Sequence, residues 1–229
     1  KLYQDGVLNL EDVPEEFDLG DNQRMQLDMH KSGGSVVDAN SIKTFLNALK
    51  YPLYFLDFET FGTSIPLIDG TRPYQQIVFQ YSLHIQHKQD GELIHKEYLA
   101  DPKAGNFLPD LIQRMVDDCG TEGDIIVYNQ GFESGKIRDM ISMCPQFTVE
   151  LNAMLGRIVD LMLPFQKRWY YTPEMRGSYS IKKVLPALVP ELSYDDLEVK
   201  EGGEASALFS MMMAGLFEGD VDATRNNLL

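Results

Sequence analysis

Two acidic residues, Asp57 and Glu59, end a run of apolar and aromatic residues in the segment Tyr54-Phe-Leu-Asp-Phe-Glu-Thr60. In an extended strand alternate side chains share a face, so both carboxylates point one way while Phe58 points the other way. Hydrolysis of a phosphodiester by two divalent ions needs several hard oxygen ligands around metals about 4 Å apart. This acidic pair could supply half of such a ligand set.

The tripeptide Asp-x-Glu is a weak signal on its own, because an acidic chain is expected to contain it by chance. Surface carboxylates are then the simpler interpretation. The context favours a site instead, since Pro52-Leu-Tyr-Phe-Leu56 predicts a buried strand leading into the two acids. A buried strand that ends in two acids must offset the cost of removing their charges from water. We therefore expect Asp57 and Glu59 to form a functional site.

A third acid follows another apolar strand, in the segment Ile125-Ile-Val-Tyr-Asn-Gln-Gly-Phe-Glu133. Asn129 ends the predicted strand, and Glu133 lies at the beginning of the helix that follows. One interpretation places both residues in the same site as Asp57 and Glu59. The other is structural: Asn129 caps the helix and Glu133 interacts favourably with the helix dipole. The presence of the first acidic strand favours a shared site.

Hydrophobic periodicity and turn residues predict the elements that position these acids. Strands are predicted over residues 51–58, 76–87, 92–99 and 124–128, with Asp90-Gly91 as the hairpin turn between the second and third. Helices are predicted over residues 41–49, 107–119, 132–143, 149–157, 180–188 and 203–217. This order predicts an α/β fold in which a mixed sheet, with three antiparallel strands followed by parallel strands, is flanked by helices.

The bulk composition predicts a soluble, cytoplasmic protein. With 44% apolar residues the 229-residue chain can bury a sizeable core, yet no apolar run approaches the ~20 residues of a membrane span. Its two cysteines lack metal-type spacing, which predicts a reducing compartment. Residues 1–46 are predicted to be an acidic arm or linker and residues 47–229 the main domain. The first residue is not Met, so a fragment is expected.

The formal charge of −15 disfavours contact with phosphates. One segment, between Gln166 and Lys183, is instead rich in cations and aromatic residues. It could bind phosphates and stack unpaired bases, or its aromatics could be core and its cations ordinary surface. Tyr179, Lys182 and Lys183 are its predicted substrate-binding residues. The cations of the segment are Lys167, Arg168, Arg176, Lys182 and Lys183, and its single acid is Glu174. Its aromatic residues are Trp169, Tyr170, Tyr171 and Tyr179.

Four runs resemble a bacterial family, the domain-of-unknown-function family 2779: Tyr51-Pro-Leu-Tyr-Phe-Leu-Asp-Phe-Glu-Thr60, Arg72-Pro-Tyr-Gln-Gln76, Phe79-Gln-Tyr-Ser-Leu-His84 and Gly177-Ser-Tyr-Ser-Ile-Lys-Lys-Val-Leu-Pro186. The likeness covers nearly the whole chain. Members of the family look like RNase-H-like 3′–5′ exonucleases of the DEDD kind, named for four acidic residues. The resemblance implies a five-stranded RNase-H-like sheet, a two-ion Mg²⁺ or Mn²⁺ site, and single-stranded DNA or RNA as substrate.

The resemblance also implies roles for the acids. Asp57, Glu59 and Glu133 would be catalytic metal ligands, with Glu133 standing where the family more commonly has Asp. Asn129 would order the turn that leads to Glu133. Asp160 matches a position that is usually structural in related exonucleases. The resemblance therefore implies a site shared by the two acid-bearing segments.

Two further implications concern the substrate and the rest of the site. Thr60 and Phe61 match positions that cradle the terminal nucleotide. The family's third motif, a Tyr followed four residues later by Asp, would come after Leu229, since Asp220 and Asp222 lack the Tyr. An upstream restriction-type nuclease module often precedes such domains. The alternative function is therefore a catalytically incomplete RNase-H-like scaffold or nucleic-acid-binding module that serves a neighbouring nuclease.

Overall fold

The computed structural model describes residues 1–192 and 202–228. Within these ranges the chain forms two compact units. The first unit takes residues 1–48 together with the described residues from Met162 onward to 192, and the second takes residues 49–161 and 202–228. None of the helices in these ranges combines the length and the apolar character needed to cross a lipid bilayer.

The described residues form seven strands and nine α-helices, several of them very short. The strands are β1 (Val36–Val37), β2 (Leu53–Phe61), β3 (Ile77–Gln86), β4 (Leu93–Leu99), β5 (Asp124–Val127), β6 (Ile158–Asp160) and β7 (Tyr170–Tyr171). The helices are α1 (Asp21–Ser32), α2 (Ala39–Asn47), α3 (Leu108–Cys119), α4 (Gln130–Met143), α5 (Thr148–Leu155), α6 (Leu163–Gln166), α7 (Ile181–Leu188), α8 (Gly202–Met213) and α9 (Val221–Leu228). All the predicted strands and helices are confirmed with small shifts of their bounds, whereas α1, β1, β6, α6, β7 and α9 were not predicted.

The second unit contains a five-stranded sheet in the order β4-β3-β2-β5-β6. Strand β3 is antiparallel to both of its neighbours, β2 and β4, whereas β5 and β6 run parallel to β2. The predicted α/β fold with a mixed sheet, antiparallel and then parallel, is therefore confirmed. Strand β4 is at one end of this order, and its residues from Leu93 to Glu97 are exposed.

The core of the second unit lies on one face of this sheet. The buried side chains of β2 and β3 alternate with exposed or half-buried ones, as in a sheet that is covered on one face. Helix α3 packs against β3 and β4, and α8 packs against β2. The largest fully buried side chains of the unit include Tyr81, Phe61, Phe79, Phe209, Leu83, Leu108, Leu111, Ile112 and Met115.

One buried acid belongs to this core. Asp118 of α3 accepts hydrogen bonds from the Tyr81 hydroxyl at 2.7 Å and from Lys96 Nζ at 2.7 Å. The guanidinium of Arg114 lies 3.7 Å from the same carboxylate. These partners, which come from α3, β3 and β4, join the helix to the end of the sheet.

A β-bulge interrupts the pairing of β2 with β3. The register shifts between Glu59 and Thr60, so that Phe79 of β3 has no partner in β2. A bulge moves the alternation of side chains by one residue. Phe58 and Phe61 are therefore both buried, although they are three residues apart. The acidic pair lies just before this shift.

The first unit contains a two-stranded antiparallel sheet of β1 and β7. Its small core is formed by Tyr171, Met175 and Val184, with partly buried side chains of α1 packed around them. Residues 1–46, predicted to be an arm, contribute α1, β1 and most of α2 to this unit. The division into an arm and an enzymatic domain stays a prediction.

Candidate active site

Asp57 and Glu59 lie on β2, beyond the residues of this strand that pair with β5. The parallel pairing of β2 with β5 covers only Leu53 to Phe55. The two acids therefore have a strand neighbour, β3, on one side only. Asp57 is exposed and Glu59 half-buried, whereas Phe58 between them is buried. This burial confirms that the two carboxylates share a face opposite to Phe58, at the carboxyl ends of parallel strands where open α/β sheets bind ligands.

Both carboxylates of β2 have raised pKa values. Asp57 keeps contact with solvent, yet protein atoms crowd its carboxylate, and this desolvation raises its pKa. The backbone N–H of Phe58, which donates to Asp57 Oδ1 at 3.1 Å, opposes that rise. Desolvation also raises the pKa of Glu59, and the charge of Asp57 adds to the effect. The pair thus holds negative charge at an electrostatic cost.

Glu133 lies in the first turn of α4 and is only 3% exposed. Its Oε2 has no hydrogen-bond partner among the described residues. Burial raises the pKa of Glu133 to about 7, a backbone hydrogen bond opposes the rise, and the charges of Asp57 and Asp160 add to it. Glu133 and Asp57 are therefore close enough to repel each other, as expected of residues that share one site.

Asp160, at the end of β6, fixes the beginning of α4. Its Oδ1 accepts from the backbone N–H of Asn129 at 3.0 Å and its Oδ2 from that of Gln130 at 3.1 Å. Asn129 has a left-handed backbone, with φ 80° and ψ 67°, and its side chain makes no capping hydrogen bond. The carboxylate of Asp160, and not the amide of Asn129, therefore satisfies the backbone at this helix terminus. The only sequence signal for a structural role of Asp160 was the family resemblance, and the pattern of the residues gave no sign of these contacts.

The donor atoms at this site are of the kind that hard divalent cations prefer. Carboxylate oxygens come from β2 and α4, and one of them is buried without a partner. Across residues 1–192 and 202–228, however, no three His, Cys, Asp or Glu side chains are gathered closely enough to hold a metal ion. The carboxylates fit Mg²⁺ or Mn²⁺ in chemistry, and their side chains would have to close together around an ion.

The two residues that follow the acids differ in exposure. Thr60 is half-buried. Phe61 is 1% exposed, and its ring packs against Phe79 at 6.1 Å and Phe209 at 5.1 Å between ring centroids. The Phe61 ring therefore belongs to the core and presents no surface to a nucleotide.

The cationic and aromatic segment lies in the first unit, whereas the carboxylates lie in the second. Tyr179, Lys182 and Lys183 are exposed. The guanidinium of Arg168 lies over the rings of Tyr171 and Tyr179, at 5.4 and 5.6 Å from their centroids. Tyr171 itself is buried in the small core. Tyr171 is thus a core residue, whereas substrate binding by the exposed Tyr179, Lys182 and Lys183 stays a prediction.

Comparisons with known proteins give a family and relatives. The chain is 28% identical over 177 residues to an uncharacterized protein, UU173, of Ureaplasma parvum, and these residues are 67% of this chain and 25% of that protein. It is 25% identical over 189 residues, 74% of the chain, to the uncharacterized MG366 homolog of Mycoplasma pneumoniae, of which it covers 28%.

The chain thus spans about a quarter of the length of these curated relatives. No solved structure matches it. The model of the family described as a domain of unknown function (DUF2779) matches residues 54–180, which is more than half of the chain and includes all of β2 except Leu53, all of α4, and Asp160. The chain belongs to this family.

Proposed function

We propose that this chain is the RNase-H-like exonuclease domain of a metal-dependent nuclease that hydrolyses phosphodiester bonds of single-stranded DNA or RNA. The 3′–5′ polarity of the proposal rests on the family resemblance. One observation supports the proposal above the others: the buried carboxylate of Glu133 has an oxygen without a hydrogen-bond partner, and it interacts electrostatically with Asp57.

A buried carboxylate without a partner is costly, because folding removes it from water and returns no hydrogen bond. The neighbouring charges of Asp57 and Asp160 increase that cost. A divalent cation between these acids would reverse the repulsion. An unfavourable free energy of this kind is expected of a cation-binding site before the cation binds. Acids with strongly shifted pKa values in a cleft are candidates for function on physical grounds.

The residues would divide the work as follows. Asp57 and Glu133 would hold the ions, and Glu59 would bridge them or position the attacking water. Asp160 would act indirectly, because it holds the backbone at Asn129 and Gln130 and so sets where α4 begins. Divalent ions, when bound, supply an activated water and neutralise charge on the phosphate.

A second candidate function is a non-catalytic scaffold or nucleic-acid-binding module. Two observations favour it. Among the described residues no three candidate ligands are gathered around one point, and the chain has a formal charge of −15. A scaffold would bind nucleic acid or a neighbouring nuclease and would not need Mn²⁺.

Titration calorimetry with Mn²⁺ and hydrolysis of end-labelled single-stranded DNA and RNA test the proposal. We expect Asp57→Asn and Glu133→Gln to weaken Mn²⁺ binding by more than the roughly 10- to 100-fold that is typical of residues that only support metal ligands. Hydrolysis should be lost in both variants. Glu150→Gln is the matched control, because Glu150 is exposed on α5. Wild-type protein that binds nucleic acid but neither binds Mn²⁺ nor hydrolyses any strand would select the scaffold.

A further inference from the structure

The loop over residues 62–76, between β2 and β3, borders both acid-bearing elements. It begins directly after β2, the strand of Asp57 and Glu59. Its far end lies against α4, the helix of Glu133. There Gln75 Nε2 donates to Met143 Sδ at 3.4 Å, and Lys136 Nζ donates to the Gln76 carbonyl at 3.4 Å. Loops of this length without secondary structure are uncommon inside compact domains, and those that are not linkers or disordered segments are usually functional.

The end of the loop next to β3 contains a four-residue turn from Arg72 to Gln75. The backbone N–H of Gln75 donates to the Arg72 carbonyl at 3.1 Å, and the backbone N–H of Arg72 donates to Gln75 Oε1 at 3.1 Å. Pro73 and Tyr74 are the central residues, and Tyr74 has a φ of 58°. A positive φ at the third position of a turn is normally left to glycine or asparagine. A tyrosine there is strained, and such strain is found most often at functional sites.

The backbone of the turn is held from both sides. The N–H of Tyr74 donates to the Thr63 carbonyl at 2.8 Å. The opposite arm approaches so closely that a Cβ on Gly62 would lie 3.0 Å from the Gln75 carbonyl oxygen. Although its backbone is fixed, the Tyr74 side chain is 73% exposed. Packing of the ring against the protein therefore does not explain why a tyrosine occupies this strained position.

Arg72, two residues before Tyr74, adds a positive charge to the same turn. It is exposed, and its guanidinium makes no hydrogen bond or ion pair with any residue that the structure describes. A guanidinium binds a phosphate with two parallel hydrogen bonds, and an exposed aromatic ring stacks on an unpaired base. The turn thus presents a guanidinium that can bind a phosphate and a ring that can stack on a base, and it does so at the border of the acidic site.

We propose that Arg72 and Tyr74 bind a nucleotide of a single-stranded nucleic acid beside the carboxylates, with the Tyr74 ring stacked on an unpaired base and Arg72 on a phosphate. The orientation of the strand toward Asp57, Glu59 and Glu133 rests on the proposed function. Binding at the turn needs neither metal nor hydrolysis, so the two proposals can be tested separately.

Fluorescence anisotropy with a labelled single-stranded oligonucleotide, in EDTA to remove divalent ions, tests the Tyr74 contact. Tyr74→Gly should bind about 10-fold more weakly, as expected for the loss of one stacked base. Tyr74→Phe should bind like wild type. Glycine also relieves the positive φ, so Tyr74→Gly should melt at the same or a higher temperature. Loss of affinity without loss of stability separates a binding role from a structural one.

Arg72→Ala tests the phosphate contact. It should weaken binding at low salt and reduce the slope of log affinity against log salt by about 1. Two exposed residues serve as controls: Ile65→Ala removes an apolar side chain from the same loop, and Lys88→Ala removes a cation near the turn between β3 and β4. Both controls should bind the oligonucleotide like wild type.

Wild-type affinity in Tyr74→Gly, or equal affinity of wild-type protein for single-stranded and fully paired oligonucleotides, would overturn this inference. Failure of wild-type protein to bind any single strand would overturn it as well. A different result would overturn only the proposed function: Tyr74-dependent binding in EDTA together with no Mn²⁺ binding and no hydrolysis.

Discussion

Asp118 and Glu133 are both buried acids of the second unit, and they differ in what surrounds them. Asp118 accepts hydrogen bonds from Tyr81 and Lys96 at 2.7 Å each. Glu133 has a carboxylate oxygen with no hydrogen-bond partner among the described residues, and the charges of Asp57 and Asp160 add to the rise in its pKa. Burial alone therefore does not mark a functional site. The lack of a compensating partner at Glu133, together with the like charges around it, is what supports the proposed site.

The second unit thus contains one buried acid whose charge is compensated and one whose charge is not. Around Asp118, a cation and a hydroxyl from neighbouring strands repay the loss of water, so the acid ties α3 to the sheet. Around Glu133, like charges add to the cost, and the fold tolerates it. Three substitutions can break or sharpen this contrast.

The largest effect should come from Asp118→Ala. Removing one member of a buried, hydrogen-bonded charge group leaves its partners uncompensated, and we expect a loss of about 3 kcal/mol in the free energy of unfolding. Urea unfolding followed by circular dichroism measures it. Asp117→Ala is the control, because Asp117 is the adjacent acid of α3 and is exposed. Equal losses of stability in the two variants would mean that the buried, hydrogen-bonded Asp118 stabilises the fold no more than an exposed acid does.

Glu133→Gln should have the opposite sign. The folded chain keeps a proton on Glu133 up to its pKa of about 7, whereas the ordinary value of 4.5 applies when the chain is unfolded. Stability is thus lost as the pH rises through this window, because only the unfolded chain ionises there. The variant should be more stable than wild type by about 2 kcal/mol at pH 8.

The stability gain of Glu133→Gln should shrink as the pH falls from about 7 to about 5, and urea unfolding across this range measures the trend. Glu150→Gln, at an exposed position of α5, should show no such trend. A gain for Glu133→Gln that is the same at every pH would mean that ionisation of the carboxylate is not the cause.

The smallest effect should come from Tyr81→Phe. It removes one hydrogen bond to Asp118 and leaves the Lys96 contact in place. We expect a loss of about 1 kcal/mol in the free energy of unfolding, measured in the same urea titration. A loss as large as that of Asp118→Ala would mean that the hydroxyl, and not the cation, carries the compensation.

Elements with a strong local pattern could be predicted from the sequence. Strands β2, β3 and β4 follow from apolar alternation and from the Asp90-Gly91 turn, and the shared face of Asp57 and Glu59 follows from the period of a strand. Helix α4 follows from its position after the short apolar strand β5. The placement of three acids on two neighbouring elements was therefore accessible without coordinates.

Features that depend on distant parts of the chain could not be predicted. Strands β1 and β7 have two residues each and pair across more than a hundred positions, so neither carries a pattern of its own. The bulge at Phe79 is one skipped residue, and it decides that Phe61 enters the core. The unpartnered oxygen of Glu133 depends on every side chain around it, which no local pattern reports.

Strand β4 has a consequence for self-association. It ends the sheet order and is exposed on both faces, so its outer backbone groups could template pairing with another chain. Leu93 and Ile94 are exposed apolar residues on this strand. His95 follows them, and the next two residues, Lys96 and Glu97, are charged. Charged side chains on an edge strand disfavour such pairing, so Lys96 and Glu97 would oppose aggregation through this edge even though Lys96 also pairs with Asp118.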